Sequence, residues 1–267
     1  MKIITLIENL VSQKGLMAEH GISLYIDTGN KKILFDTGQS PAFIANAEQL
    51  GIDLTEVDAV VISHGHYDHT GGLEAFLKKN LHAPVYLKKE ALIDKYKDRN
   101  RFIGAPCDKE LLKERAIYVN ATTEIDKNLF IMPDINVYNP DDTSFNNFFI
   151  SGKEGFRQDE FKDELFLAIV KDKKLSILSS CSHRGISNIV RTAKEQFGLP
   201  LHLILGGFHL KNSEDKQYQS VKKFLTDNTP GNIGVCHCTG IEKLAEIKQC
   251  TGKCNVFYNY TGNTVVI

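Results

Sequence analysis

Apolar residues in this chain recur with two spacings. Short runs dense in Ile, Leu, Val and Phe predict strands at Lys2 to Ile7, Ile22 to Ile26, Lys32 to Phe35, Val57 to Ile62 and Ala83 to Leu87. In the later part they predict Glu164 to Val170, Leu175 to Ser179, Leu201 to Leu205, Ile233 to Cys236, Asn255 to Tyr260 and Thr264 to Ile267. Wider spacing predicts helices at Ala42 to Leu50, Leu73 to Lys79, Glu90 to Lys97, Ile186 to Phe197, about Glu214 to Asp227, and Ile241 to Gln249. Ser40-Pro41 suits a helix start and Gly51 a stop, and Asp27-Thr28-Gly29-Asn30 turns the first hairpin. Between about 98 and 163 the pattern weakens, with strand candidates only at Ile117 to Val119 and Leu129 to Ile131. Irregular segments on the substrate side of a site are expected there, carrying selectivity rather than chemistry. Phe148, Phe149 and Phe156 read equally well as an aromatic lid or as core. No stretch rich in Gly, Ser or Pro divides the chain, so residues 1–267 are expected to form one α/β domain.

Composition narrows the class without choosing the chemistry. With 42% hydrophobic and 24% charged residues over 267 positions, a full core is available and disorder is excluded. A net charge of -1 argues against a nucleic-acid partner. The opening apolar run stops at Glu8 and is too short for an export signal or a membrane span. A cytoplasmic protein with six reduced cysteines is the expectation. Cys236, Cys238, Cys250 and Cys254 could hold a structural zinc or an iron–sulfur cluster, but their spacing matches no closed zinc module.

The chemistry concentrates after the strand at Val57 to Ile62, in Ser63-His64-Gly65-His66-Tyr67-Asp68-His69-Thr70-Gly71-Gly72. An i, i+2 pair at the end of an extended segment points two imidazoles the same way, while Asp68 and His69 diverge toward a second position. One loop can thus serve two neighbouring metal sites. Three imidazoles and a carboxylate suit zinc, with iron(II), manganese(II) or cobalt(II) as alternatives. The plain competing reading is a polar loop facing water. His183, His209 and His237 each follow a short apolar strand as well, and ligands in layered α/β folds gather at strand ends.

The His-x-His-x-Asp-His signature, with Leu34-Phe35-Asp36-Thr37-Gly38, Ser180-Cys181-Ser182-His183, Gly206-Gly207-Phe208-His209 and His237-Cys238-Thr239-Gly240, resembles the metallo-β-lactamase-fold superfamily. Within it, these motifs are similar to the superfamily II metal-dependent hydrolases, some of them labelled dihydropterin/ribofuranosyl-aminobenzene-phosphate synthases. The resemblance implies a four-layer αββα sandwich of two similar halves. Laying Ser63 to His66 over Ser180 to His183 is consistent with that repeat. It also implies that His64, His66 and a second-half histidine, here assigned as His183, hold one divalent ion, and that Asp68, His69 and His237 hold another. The chain departs from the commoner pattern at Ser179 and Ser180, where many members place a bridging aspartate. Cys181, His183, Asp163 and Glu164 are the substitutes on offer, and single-ion occupancy is an alternative.

Two divalent ions against one carboxylate leave a site about three positive, roughly two after a hydroxide bridges them, which favours a small anionic substrate. The expected activity is hydrolysis of a phosphoester or pterin-related compound by a metal-bound hydroxide. Asp68 would ligate and orient or deprotonate the nucleophile, and His209 would donate a proton or contact phosphate. Asp36 is expected to fix an imidazole tautomer, and Glu19 and His20 to line the site or serve as polar loop residues. A methanopterin-pathway synthase of the same fold, and a metabolite sensor with little turnover, are the alternatives.

Overall fold

The computed structural model describes residues 1–267. The chain divides into two compact units. One comprises Met1–Asn120, Asn146–Asp163 and Tyr260–Ile267; the other comprises Ala121–Phe145 and Glu164–Asn259.

In the first unit a seven-stranded sheet runs in the order Thr264–Val266, Lys2–Ile7, Ser23–Asp27, Lys32–Phe35, Ala59–Val61, Val85–Leu87, Ala116–Tyr118. Neighbours are antiparallel as far as Lys32–Phe35 and parallel from there on. Parallel strands need both faces covered, which accounts for the continuous apolar runs. Helices Ala42–Gln49 and Leu73–Lys79 contribute Phe43 and Phe76 to a core shared with Leu34 and Val60. Gly51, at φ 71°, follows the first of these helices as expected. Because Phe35 pairs with Val61 in parallel register, both strands end at one edge, which brings Asp36 beside Ser63.

The second unit repeats this plan. Its sheet runs Asn255–Tyr258, Asn232–Val235, Leu201–Gly206, Lys174–Leu178, Phe166–Lys171, Leu129–Met132, Thr123–Asp126; the first four strands are mutually parallel and the rest antiparallel. The registers Leu178 to Leu205 and Gly206 to Val235 align three strand ends, so the loops bearing His183, His209 and His237 leave from one edge. Helix Ile186–Phe197 buries Ile186, Ile189, Val190 and Ala193, one stripe at i, i+3, i+4 and i+7, and stops at Gly198 with φ 62°.

Two sequence expectations change. Glu90 to Lys97 is not a helix: a single turn of 3₁₀ helix, Lys89–Leu92, gives way to the strand Lys95–Lys97, which pairs with Phe148–Ile150. Partners so distant in sequence leave no local trace, and pairing overrides helix propensity. The stretch from 98 to 163 is also more regular than its composition suggests. It contains helix Lys109–Lys113 and the hairpin Phe148–Gly152 to Gly155–Gln158, part of a separate four-stranded antiparallel sheet. The phenylalanines divide: Phe148 is buried, whereas Phe156 is exposed and packs edge-on against Tyr96.

Below the start of helix Ile186–Phe197, the buried Asp142 Oδ2 accepts from the Ser187 amide at 2.7 Å and its hydroxyl at 2.6 Å. Burial pushes this carboxyl up to about 7 from 3.8, and the two Ser187 bonds only partly offset it. A raised acid pKa favours folding with the proton on. This contribution is complete below the unfolded value near 3.8 and is lost as pH rises through about 7. Asp142→Asn removes the titration, so the variant should gain on the parent by about 2–4 kcal/mol between pH 4 and pH 8. Denaturant midpoints of both proteins across that range measure this; parallel pH profiles would contradict it.

Candidate metal centre

In the first unit the loop after Ala59–Val61 carries its donors into the interior. His64 and His69 are wholly buried, and His66 and Asp68 nearly so. The His64 ring centroid lies 4.6 Å from that of His66 and 4.2 Å from that of His69. His66 stacks on Phe148 at 5.4 Å and meets the edge of Phe161 at 5.3 Å. Burial pushes His66 down to about 3, with Asp68 only partly opposing. Burial, reinforced by His69 and His66, takes His64 well below the usual imidazole range. These imidazoles are therefore neutral at physiological pH, the form that binds a cation.

Asp36 organises the group from beneath. One of its oxygens accepts from the Ser63 amide at 2.7 Å; the other lies 2.7 Å from the Ser63 hydroxyl and 2.8 Å from His69 Nδ1. The carboxylate holds the proton on Nδ1 and leaves Nε2 as the His69 donor atom, the tautomer lock expected of it. Asp36 itself adopts φ 59°, a left-handed conformation that aspartate tolerates better than most residues. Gly65 is required by space. A Cβ there would lie 2.0 Å from the Ala91 carbonyl oxygen, so the loop can back onto the 3₁₀ turn only as His-Gly-His.

His20 is half exposed, and its Nε2 approaches Asp68 Oδ2 at 3.2 Å, which places it at the site. Glu19 does not line it. Its carboxylate takes the Gln39 and Ser40 amides and the Ser40 hydroxyl, fixing the turn into the first helix.

In the second unit Cys181, His183 and His237 are buried and His209 is partly exposed. The His183 and His209 rings are 4.4 Å apart. Donor atoms of Cys181, His237 and Cys238 lie within 4.8 Å of one another, a sulfur-bearing set able to hold a cation. Cys238 Sγ also donates to the Cys181 carbonyl, and Ser182 Oγ to the Gly207 carbonyl at 2.7 Å. Gly206 and Gly207 admit neighbouring backbone rather than a ligand: Cβ atoms there would lie 2.0 Å from the Ser179 and 2.5 Å from the Ser180 carbonyl oxygens. Ser182, His209 and His237 all have positive φ, between 49° and 54°. Such backbone costs of the order of 1–3 kcal/mol per residue and clusters where side-chain placement matters.

Neither acidic candidate for a bridging ligand presents an uncommitted carboxylate. Asp163 accepts from Lys95 Nζ and the Gly65 amide, and Glu164 from the His183 and Arg184 amides. None of the six cysteines forms a disulfide; Cys254 joins the hydrophobic core and Cys250 bonds the Ile247 carbonyl. Sequence reasoning missed Ser63 and Lys95, and it grouped Cys238 with Cys236, Cys250 and Cys254 in a separate structural set, whereas its sulfur lies with Cys181 and His237.

The sequence profile of the metallo-β-lactamase superfamily matches residues 19–141. Protein MJ0448 of Methanocaldococcus jannaschii is 31% identical over 268 residues, spanning 98% of each chain. The crystal structure of Tm1679, a metal-dependent hydrolase of the β-lactamase superfamily, aligns with a TM-score of 0.87 at 34% identity, over 100% of this chain and 99% of that one. The chain belongs to the metallo-β-lactamase superfamily. Its fold class is accordingly the mixed α/β, αββα class, and this superfamily member is a metal-dependent hydrolase with His, Cys and Asp clusters able to coordinate cations. The 7,8-dihydropterin-6-methyl-4-(β-D-ribofuranosyl)-aminobenzene-5′-phosphate synthase of M. jannaschii is 28% identical over 260 residues, 91% of this chain and 88% of its own. No helix is long and apolar enough to cross a membrane.

The donor chemistry fits divalent ions. Buried neutral imidazoles, one of them locked by a carboxylate, form a set that would be costly to keep in the interior for packing alone.

Proposed function

We propose that this superfamily member hydrolyses a small anionic substrate, a phosphoester or a pterin-related compound, in a dinuclear centre. His64, His66 and His183 hold one ion; Asp68, His69 and His237 hold the other. Zinc is the leading metal, with iron and manganese as alternatives. The whole chain acts as one cytoplasmic catalytic domain, on a metabolite rather than a nucleic acid. The observation that carries this reading is the pairing of buried neutral imidazoles with the Asp36 lock on His69.

When bound, divalent ions make solvent nucleophilic near neutral pH and polarise the oxygen under attack. This chain's own residues do the rest. Asp68, buried beside His20, accepts or orients the solvent proton, and His209 donates to the leaving group or contacts an anionic oxygen. Phe148 and Phe161 shield the His66 side from water, which strengthens attraction for an anion.

Elemental analysis of protein purified without added metal, together with a panel of phosphoesters and lactones, tests the proposal. About two ions per chain are expected, with phosphoester turnover lost to chelation and restored by metal. Turnover that survives complete metal removal would refute it. The similarity to the dihydropterin synthase supports a second reading, in which the amine of a ribofuranosyl-aminobenzene phosphate displaces an oxygen leaving group from the 6-methyl carbon of a dihydropterin, the new C–N bond replacing the C–O bond and the amine giving up a proton. Formation of the joined product by the loaded enzyme would decide for it.

A further inference from the structure

We infer that the consecutive carboxylates Asp163 and Glu164 are positioning residues, each bracing one of the two loops assigned above to the first ion. The inference rests on that assignment and goes beyond it, because neither carboxylate is placed among the ligands.

Asp163 is 1% exposed and Glu164 2% exposed. Asp163 Oδ2 accepts the Gly65 amide at 2.7 Å, and Gly65 is the residue between His64 and His66. Its Oδ1 accepts Lys95 Nζ at 2.9 Å, and Lys95 is held in turn by Asp159 at 2.6 Å. Glu164 Oε1 accepts the amide of His183 itself at 2.6 Å, and Oε2 the following Arg184 amide at 2.7 Å. Both loops thus have peptide groups, those of Gly65 and His183 buried and that of Arg184 partly so, fixed by a charged acceptor, the stronger kind of hydrogen bond. Both acceptors sit next to each other in the chain.

The alternative, that two acids are merely satisfying stray amides, does not explain their targets. Amides are numerous in each unit, yet the three chosen are those of a ligand, of the residue after a ligand, and of the residue between two ligands. Fixing a peptide plane fixes the direction in which its neighbours' side chains leave the backbone. A loop so fixed is already ordered when a cation arrives, whereas a loop without its brace must be ordered at the expense of affinity. Loss of an outer partner of this kind lowers metal affinity by about 10–100-fold.

The test is competition against a chromogenic zinc chelator, with melting of the metal-free proteins as a separate readout. Asp163→Ala and Glu164→Ala should each weaken one of the two zinc sites by about 10–100-fold and leave the other near its parent value. Glu164→Gln, which keeps one acceptor oxygen, should fall between Glu164→Ala and the parent. Glu160→Ala, at an exposed neighbouring acid, should change nothing. Asp163→Ala also strips a partner from Lys95; if it fails to fold, the two Glu164 variants decide, since Glu164 does not bond Lys95. Parent-like zinc affinity in folded Glu164→Ala, where His66→Ala and His183→Ala each lose a site, overturns the brace alone. Parent-like affinity in the two histidine variants as well overturns the ligand assignment and the brace together.

Discussion

His66→Ala is expected to lower kcat/KM by about three orders of magnitude and to remove one tightly bound ion, while the metal-free variant still folds. The cation's share of charge stabilisation in the reaction is several kcal/mol, and at 1.36 kcal/mol per factor of ten a loss of about 4 kcal/mol corresponds to a thousandfold. His66 is a strong choice because burial has already pushed its pKa to about 3. No proton has to leave it at neutral pH, so a cation binds without that cost. The ring also stacks on Phe148, so truncation removes packing together with the donor. His66→Gln, which fills part of the space without an imidazole nitrogen, separates these effects: stability should recover more than activity does. Steady-state kinetics and elemental analysis on the same preparations provide the check. A variant with the parent's ion content and turnover would show that His66 is no ligand.

Much of this candidate site was legible in the sequence because its residues follow apolar strands, and parallel register then aligns the strand ends. The 3.6 and 2.0 periodicities placed helix Ile186–Phe197 and the strands on either side of it, and His183, His209 and His237 inherited a common edge from that placement. Asp36 was legible for the same reason, as the residue ending the strand beside the one that leads to Ser63. Pairings between residues far apart in sequence were not legible. Nothing near Lys95 announces a strand, because its partners Phe148–Ile150 lie far along the chain, and a lysine among apparent helix formers reads as surface. Glu19 read either as a site-lining group or as a polar loop residue, and the second holds, since its carboxylate closes a turn whose other half begins at Gln39. The internal repeat was faint in letters and is plain in topology, since each unit joins an antiparallel and a parallel half-sheet through one shared strand.

The buried triad of Lys95, Asp159 and Asp163 gives the largest expected effect on stability. Lys95 is 2% exposed, and two carboxylates within 2.9 Å hold its ammonium. Burial alone would lower the lysine pKa and raise that of Asp163. The mutual attraction outweighs both, aided at Asp163 by the Gly65 amide, so the lysine lies above and Asp163 below its ordinary value. Lys95→Met should therefore cost about 3–5 kcal/mol at pH 7, because it leaves two buried like charges with their counter-charge gone. The sign of the pH dependence identifies the cause. Asp159, where burial outweighs the lysine, already lies above its ordinary value; without Lys95 it is raised further and Asp163 loses what holds it down, so protonation stabilises the variant, and its deficit should shrink as pH falls from 7 toward 5. A deficit due to lost lysine packing would stay constant over the same range. Adding Asp159→Asn to Lys95→Met removes one of the two charges and should recover part of the loss at pH 7, with Asp163 still bonded to Gly65. Denaturant midpoints of the parent, the single variant and the double variant at both pH values distinguish the two causes; a pH-independent deficit, unrelieved by Asp159→Asn, would show that the triad acts through packing and not charge.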